Sequence, residues 1–306
     1  LTRAEGRAES FETMTRRGYR DMVARWIIAP DDVRFGNLRG QGDPSAISVD
    51  GERGKGAVLA FHGFAGTPNE VRAVTEVAAR LGLFARAPAL AGHGPHARDL
   101  MNAGWDEWVS AASAELVELA ERAGSRVVVC GLSLGALIAT HLAATRPDHV
   151  AGLIALANAT RLCLPSPGLP LLVCELFQPF GNRFYFPKTG ADIRDPTARG
   201  AHMTYDVNPV RSAVQVLRAG RIVRAELGKV QCPTLVLHGR LDRVCPVANA
   251  YRFAKALGTT DVEVAIMPSS GHIVSVDVDR QEVAAHIEAF LRRIDPSIEA
   301  ATARSC

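Results

Sequence analysis

The chain has 306 residues, 47% of them hydrophobic and 22% charged, a composition that excludes a wholly disordered protein and supplies a sizeable core. Its 35 Lys plus Arg against 32 Asp plus Glu leave a formal net charge of +3 with no long basic run, so nucleic acid is not an expected partner.

In chain order, residues 1–20 are charged, with Arg16, Arg17 and Arg20 among several acids. They read as a tail leading into an amphipathic helix over 19–28, within an N-terminal extension of residues 1–40. The first 30 residues lack the apolar stretch of a signal peptide, since Arg25 breaks the cluster at 22–29, and a cytoplasmic location is expected. Short strands are predicted over 46–49 and 57–61, and the second is continuously apolar, as a strand covered on both faces should be. Thr67-Pro68-Asn69-Glu70 predicts a helix start with a capping box, and Val71, Val74, Val77, Ala78 and Leu81 follow at helical spacing until Gly82.

Further strands are predicted over 83–87, 126–130, 150–156, 234–238 and 262–267. Helices are predicted over 105–122, 134–144, 247–257 and 280–292. The run 127–144 carries Gly131, Ser133, Gly135, Thr140 and His141, which suits a buried strand and helix and not a membrane span. Alternation of strands and helices predicts an α/β fold with a mostly parallel sheet. Residues 41–157 and 228–295 form the expected core, and 296–306 a C-terminal tail. The Pro- and aromatic-rich segment 158–227 interrupts the alternation and reads as an insertion over the C-terminal edge of the sheet, where such sheets bind ligands. The six cysteines, at 130, 163, 174, 232, 245 and 306, form no C-x-x-C pair and are expected to be reduced.

Gly131-Leu-Ser-Leu-Gly135 has the form G-x-S-x-G and falls between a predicted strand and a predicted helix. In that context it is a nucleophile elbow, whose tight turn lifts Ser133 above the sheet edge and tolerates only small residues two positions to either side. A serine nucleophile needs a base, and the base needs an acid to orient it. In the order serine, acid, histidine, His272 alone follows a late strand in a loop. Asp242 follows the strand over 234–238 and is the chosen acid; Asp192, Asp195 and Asp206 lie in the insertion, and the strand over 150–156 ends on Ala157 and Asn158. His62, His93 and His96 stand upstream, His141 lies two turns down the helix from Ser133, His286 is in the last helix, and His238 is a structural neighbour of the acid. The oxyanion donors are expected to be the backbone amides of Leu134, at the helix start, and Phe64, in the glycine-flanked loop His62-Gly-Phe-Ala-Gly66. No metal-ligand cluster, phosphate loop or dinucleotide fingerprint stands out, so no metal or cofactor is expected.

Six segments fall in the order of one family: His62-Gly-Phe-Ala-Gly66, Pro88-Ala-Leu-Ala-Gly-His-Gly94, Trp105-Asp-Glu-Trp108, Gly131-Leu-Ser-Leu-Gly135, Gly239-Arg-Leu-Asp242 and Ser270-Gly-His-Ile273. Over about residues 57–293 the chain resembles the bacterial carboxylesterase and monoacylglycerol lipase group of the α/β-hydrolases. The resemblance implies an α/β-hydrolase fold with a small cap, and hydrolysis of carboxylic esters through an acyl-enzyme. It implies Ser133, Asp242 and His272 as triad and Phe64 and Leu134 as oxyanion donors. The chain departs from the family in its long N-terminus, its longer and proline-rich cap, and Cys245, where an aliphatic residue is usual.

The expected substrate is a small uncharged ester with a short to medium apolar acyl chain, including monoacylglycerols, with Leu172, Phe184 and Phe186 of the cap lining the pocket. The same triad would serve a thioesterase or an acyltransferase, and a non-catalytic binding scaffold is the reading from another class.

Overall fold

The computed structural model of the protein describes residues 27–28, 37–41, 43–163, 184–188 and 190–295. Most of the helix expected over 19–28, the candidate pocket residue Leu172 and the tail 296–306 lie outside them. Residues 27–28 are extended and not helical.

The described strands are β1 (Ile27–Ile28), β2 (Ile47–Val49), β3 (Ala57–Phe61), β4 (Phe84–Ala87), β5 (Val127–Leu132), β6 (Val150–Leu156), β7 (Phe184–Pro187), β8 (Val207–Pro209), β9 (Thr234–Gly239) and β10 (Val262–Met267). The helices are α1 (Arg72–Arg80), entered through a 3-10 turn at Pro68–Val71, α2 (Ala97–Leu100), α3 (Trp105–Ala123), α4 (Leu134–Thr145), α5 (Pro196–Ala201), α6 (Val210–Glu226), α7 (Ala248–Ala256) and α8 (Arg280–Ile294).

The central sheet runs β10-β9-β6-β5-β3-β4-β2. It is parallel except for β2, which pairs antiparallel with β4. This is the doubly covered α/β sheet that the alternation predicts. Strands β3, β5 and β9 are buried at every residue because helices cover both faces. One core layer packs α3, α4 and α7 on the sheet, and the other packs α1 and α8. From β3 the chain winds outward to β4, then returns to β5 on β3's other side. The crevice between the carboxyl ends of β3 and β5 is therefore a topological switch point, where open α/β sheets place their ligands.

The segment between β6 and β9 is richer in regular structure than its composition suggests. Strands β1, β7 and β8 form a small antiparallel sheet, and α6 is a 17-residue helix. Its buried face is Ser212, Val216, Ala219, Gly220 and Val223, at helical spacing. Small residues make that face hard to see in sequence. They are there because α6 passes close to the chain: a Cβ on Gly220 would lie 3.1 Å from the carbonyl oxygens of Ala159 and Thr160. Helix α6 covers α4, which is apolar nearly all round and buried along most of its length. Trp105 and Trp108 belong to the core, as their spacing suggests. No helix of the described residues is long and apolar enough to cross a membrane.

Candidate active site

Ser133 sits where β5 passes directly into α4, with φ 56° and ψ −110°. Such a conformation costs a non-glycine residue about 1–3 kcal/mol and persists only where its surroundings impose it. Here the imposing contacts are explicit. A Cβ on Gly131 would lie 2.1 Å from the carbonyl of Gly135, and one on Gly135 would lie 2.1 Å from the Phe61 oxygen. Both glycines are thus required for strand and helix to meet this closely. Ser133 N–H donates to Leu156 O at 2.9 Å, tying the turn to β6.

The loop after β3 faces this turn and is fixed by three buried side chains. His62 Nε2 accepts the Leu90 amide at 3.0 Å and its Nδ1 donates to Gly63 O at 2.9 Å. His93 Nε2 accepts the Ala65 amide at 3.1 Å. Burial lowers His62 to about 4, so it is a neutral structural group. Glu70 departs from the predicted capping box: Thr67 makes no side-chain cap, and Glu70 Oε2 instead accepts the Gly63 amide at 2.8 Å. The reason is local packing, since Gly66 lies directly against that carboxylate. Gly63, Ala65 and Gly66 all have their amides occupied, the last by Gly63 O at 3.2 Å. The amides of Phe64 and of Leu134, the first residue of α4, make no hydrogen bond among the described residues.

Asp242 and His272 come from the loops after β9 and β10, which are neighbours in the sheet. Asp242 Oδ2 lies 2.8 Å from His272 Nδ1. Its Oδ1 accepts the amides of Val244 and Cys245, each at 2.8 Å. His238, fully buried at the end of β9, places Nε2 3.0 Å from the same Oδ2. Burial opposes the Asp242 charge, yet the His272 and His238 imidazoles hold its carboxyl well below the usual range. Burial likewise opposes a charged His272, but the Asp242 carboxylate holds this imidazole well above the ordinary histidine range.

Two acids not chosen from sequence hold the histidine loop. Asp192 accepts the His272 amide on its backbone oxygen at 2.9 Å and the Arg243 amide on Oδ2 at 2.7 Å. Asp277, fully buried, accepts Gly271, Arg194 and Asp195 amides at 2.7–2.8 Å. Residues 192–195, between β6 and β9, thereby anchor the loop that carries His272. The only sequence signal was position, acids flanking a loop that must be held.

Ser133, His272 and Phe64 line one cavity of about 310 Å³ at the switch point. Leu162, Phe186, Val216, Val244 and Ile273 make it mainly apolar, and Glu70, Lys188 and Asn208 add polar groups. Phe184, two residues before Phe186, lies outside the lining. A wider groove of about 950 Å³ between α3 and α4 contains His141 but not Ser133, Asp242 or His272.

A mostly parallel sheet with a strained serine at its switch point, facing an imidazole–carboxylate pair, defines a hydrolase of the α/β class. Residues 52–279 match the family Hydrolase_4, described as serine aminopeptidase S33, and the chain belongs to that family. It is 27% identical over 229 residues to a thermostable monoacylglycerol lipase of Bacillus sp. (strain H-257), covering 75% of this chain and 87% of that protein. It is 24% identical over 244 residues to a carboxylesterase of Bacillus subtilis (strain 168), covering 79% and 94%. Among solved structures it is similar to one reported for the metagenome-derived lipolytic enzymes LipS and LipT, with a TM-score of 0.74, 26% identity, and coverage of 83% of this chain and all of that one. The protein is thus a carboxylesterase- or lipase-like hydrolase.

Proposed function

We propose that the protein hydrolyses uncharged carboxylic esters through an acyl-enzyme on Ser133, with His272 as base, Asp242 as its orienting acid, and the Phe64 and Leu134 amides as oxyanion donors. The observation that carries this reading is the 2.8 Å contact between His272 Nδ1 and Asp242 Oδ2 beside a cavity that also contains Ser133. Asp242 keeps the Nδ1 proton in place, which leaves Nε2 free to accept the serine proton. Ser133 Oγ then attacks the ester carbon. The two unbonded amides stabilise the charge that develops on the carbonyl oxygen. His272 returns its proton to the leaving alcohol, and a water activated by the same base releases the acid.

The segment 158–227 acts in this reading as a cap on a core of 41–157 and 228–295. Phe186, Leu162 and Val216 supply an apolar wall for a short to medium acyl chain. Asn208, nine-tenths buried, adds a polar amide to that wall, and its Oδ1 has no partner among the described residues. The test is a panel of p-nitrophenyl esters, monoacylglycerols, acyl-thioesters and an amino-acyl p-nitroanilide, with Ser133→Ala as control. Highest kcat/KM on esters is expected; higher kcat/KM on the thioesters or the anilide would replace the ester reading.

A further inference from the structure

The fold brings a third reactive side chain to the acid–base pair. Cys245 lies three residues after Asp242, and its amide donates to that carboxylate at 2.8 Å. One ligand atom each from Asp242, Cys245 and His272 lies within 4.8 Å of the others. Cys245 is fully buried and free, and its neighbour Val244 lines the cavity together with His272. The sequence showed no such set, because the histidine comes from a different loop, 27 residues beyond the cysteine.

We propose that Asp242, Cys245 and His272 form an inhibitory site for a thiophilic divalent cation, zinc or cadmium, entering from the substrate cavity. The donor set argues for these ions. Thiolate, imidazole and carboxylate suit zinc, whereas magnesium and calcium require oxygen donors. Zinc bonds of about 2.0–2.3 Å put tetrahedral donors roughly 3.3–3.7 Å apart, so the 2.8 Å carboxylate–imidazole pair opens by about 0.5 Å and the wider separations, up to 4.8 Å, close by about 1 Å. A dication with one thiolate and one carboxylate is neutral overall, which suits a buried place. A water takes the fourth position, as in an open zinc site.

The protons balance simply. The Cys245 thiol releases one proton to solvent, and its sulfur lone pair binds the metal. An imidazolium His272 releases its Nδ1 proton to solvent and keeps the one on Nε2, and a neutral His272 moves its single proton from Nδ1 to Nε2; either way the Nδ1 lone pair is freed for the metal. The Nε2 atom then carries a proton and can no longer accept one from Ser133. Binding therefore removes the base while leaving the nucleophile in place. This consequence rests on the proposed triad; the existence of the site does not.

The test uses chelator-stripped full-length protein in two arms. In the first, kcat/KM on a p-nitrophenyl ester is followed at buffered free zinc, and each protein is compared with itself without zinc. Wild type should fall by at least about tenfold and recover on chelation, and Cys245→Val should need at least ~100-fold more zinc, the upper end of what loss of a mere ligand-supporting contact costs. In the second arm, cadmium is added to Ser133→Ala, and the ultraviolet thiolate-to-cadmium charge-transfer absorbance is read. It should appear with one-to-one stoichiometry and be lost in Ser133→Ala/Cys245→Val. If the valine proteins do not fold, as judged by circular dichroism, Cys245→Ala takes their place. Equal zinc sensitivity of wild type and the cysteine variant, or a cadmium band unchanged by that variant, overturns the proposal. A cadmium band that depends on Cys245, in a protein with no serine-dependent activity, would uphold the site and overturn the triad reading instead.

Discussion

Replacing Asp242 by Asn changes one atom and tests the acid assignment sharply. The carboxylate accepts three hydrogen bonds, from the Val244 and Cys245 amides on Oδ1 and from His272 Nδ1 on Oδ2, and His238 Nε2, which donates to Cys245 O at 3.3 Å, lies 3.0 Å from the same Oδ2. An amide side chain offers one oxygen and one NH2. If its NH2 faced the two backbone amides, both would lose their acceptor, and the Cys245 amide, in the interior, would cost about 1–3 kcal/mol. The oxygen therefore stays with Val244 and Cys245, and the NH2 points at the two imidazoles. His272 must then accept at Nδ1 and carry its proton on Nε2, where the base is needed. His238 keeps its Nε2 proton on Cys245 O, so the new NH2 finds no acceptor on that ring and one of its protons is left unpaired. The fold should survive with a loss of about 1–3 kcal/mol from that unpaired group. Turnover should fall on the order of 10⁴-fold, the cost of holding a triad histidine in the wrong tautomer. The assay is kcat/KM on a p-nitrophenyl ester, with thermal melting by circular dichroism on the same sample. A folded Asp242→Asn protein within about tenfold of wild type would refute the argument, and an essential Asp192 would redirect it.

Three further outcomes follow from the same geometry. The base works neutral, and Asp242 holds His272 above the ordinary histidine range, so kcat/KM should rise with pH through a midpoint above about 6.5; a midpoint at or below that value would contradict the coupling. Each acyl methylene that reaches the apolar wall gains about 0.8 kcal/mol, roughly fourfold in kcat/KM, until the 310 Å³ cavity is full, so a p-nitrophenyl series from acetyl to palmitoyl should peak at medium length and Phe186→Ala should move the peak; a monotonic fall from acetyl would show that Leu162, Phe186 and Val216 serve packing alone. Chelator treatment should leave turnover undiminished, because no step of the proposed mechanism uses a metal, and a loss restored by added zinc would refute it.

The parts of this molecule that were legible in sequence are those in which local pattern and tertiary role coincide. Strands β3, β5 and β9 are apolar at consecutive positions because both faces are covered, and the elbow declares itself because close approach of β3, β5 and α4 permits only glycine at 131 and 135. Helix α6 was not read, because Ser212, Ala219 and Gly220 interrupt the valines of its buried face and weaken the helical pattern. Glu70 fitted a capping box by spacing, yet its carboxylate is taken by the Gly63 amide, a contact that depends on how the loop folds back. His238 was legible as a structural neighbour of the acid, four residues away, whereas Asp192 and Asp277 could not be assigned from sequence, since each acts by reaching another segment. Cys245 showed in sequence only as a departure from the usual aliphatic residue, because its relation to His272 exists only once β9 and β10 lie side by side.

The central claim is that Ser133 is a nucleophile activated by His272, and active-site labelling tests it most directly. The protein is treated with a fluorophosphonate probe, digested, and the modified residue is located by mass spectrometry. One label per chain is expected, on Ser133, with labelling lost in Ser133→Ala and slowed by orders of magnitude in His272→Ala while both variants remain folded. Equal labelling of the His272 variant, or stoichiometric modification of any other residue, would contradict the account.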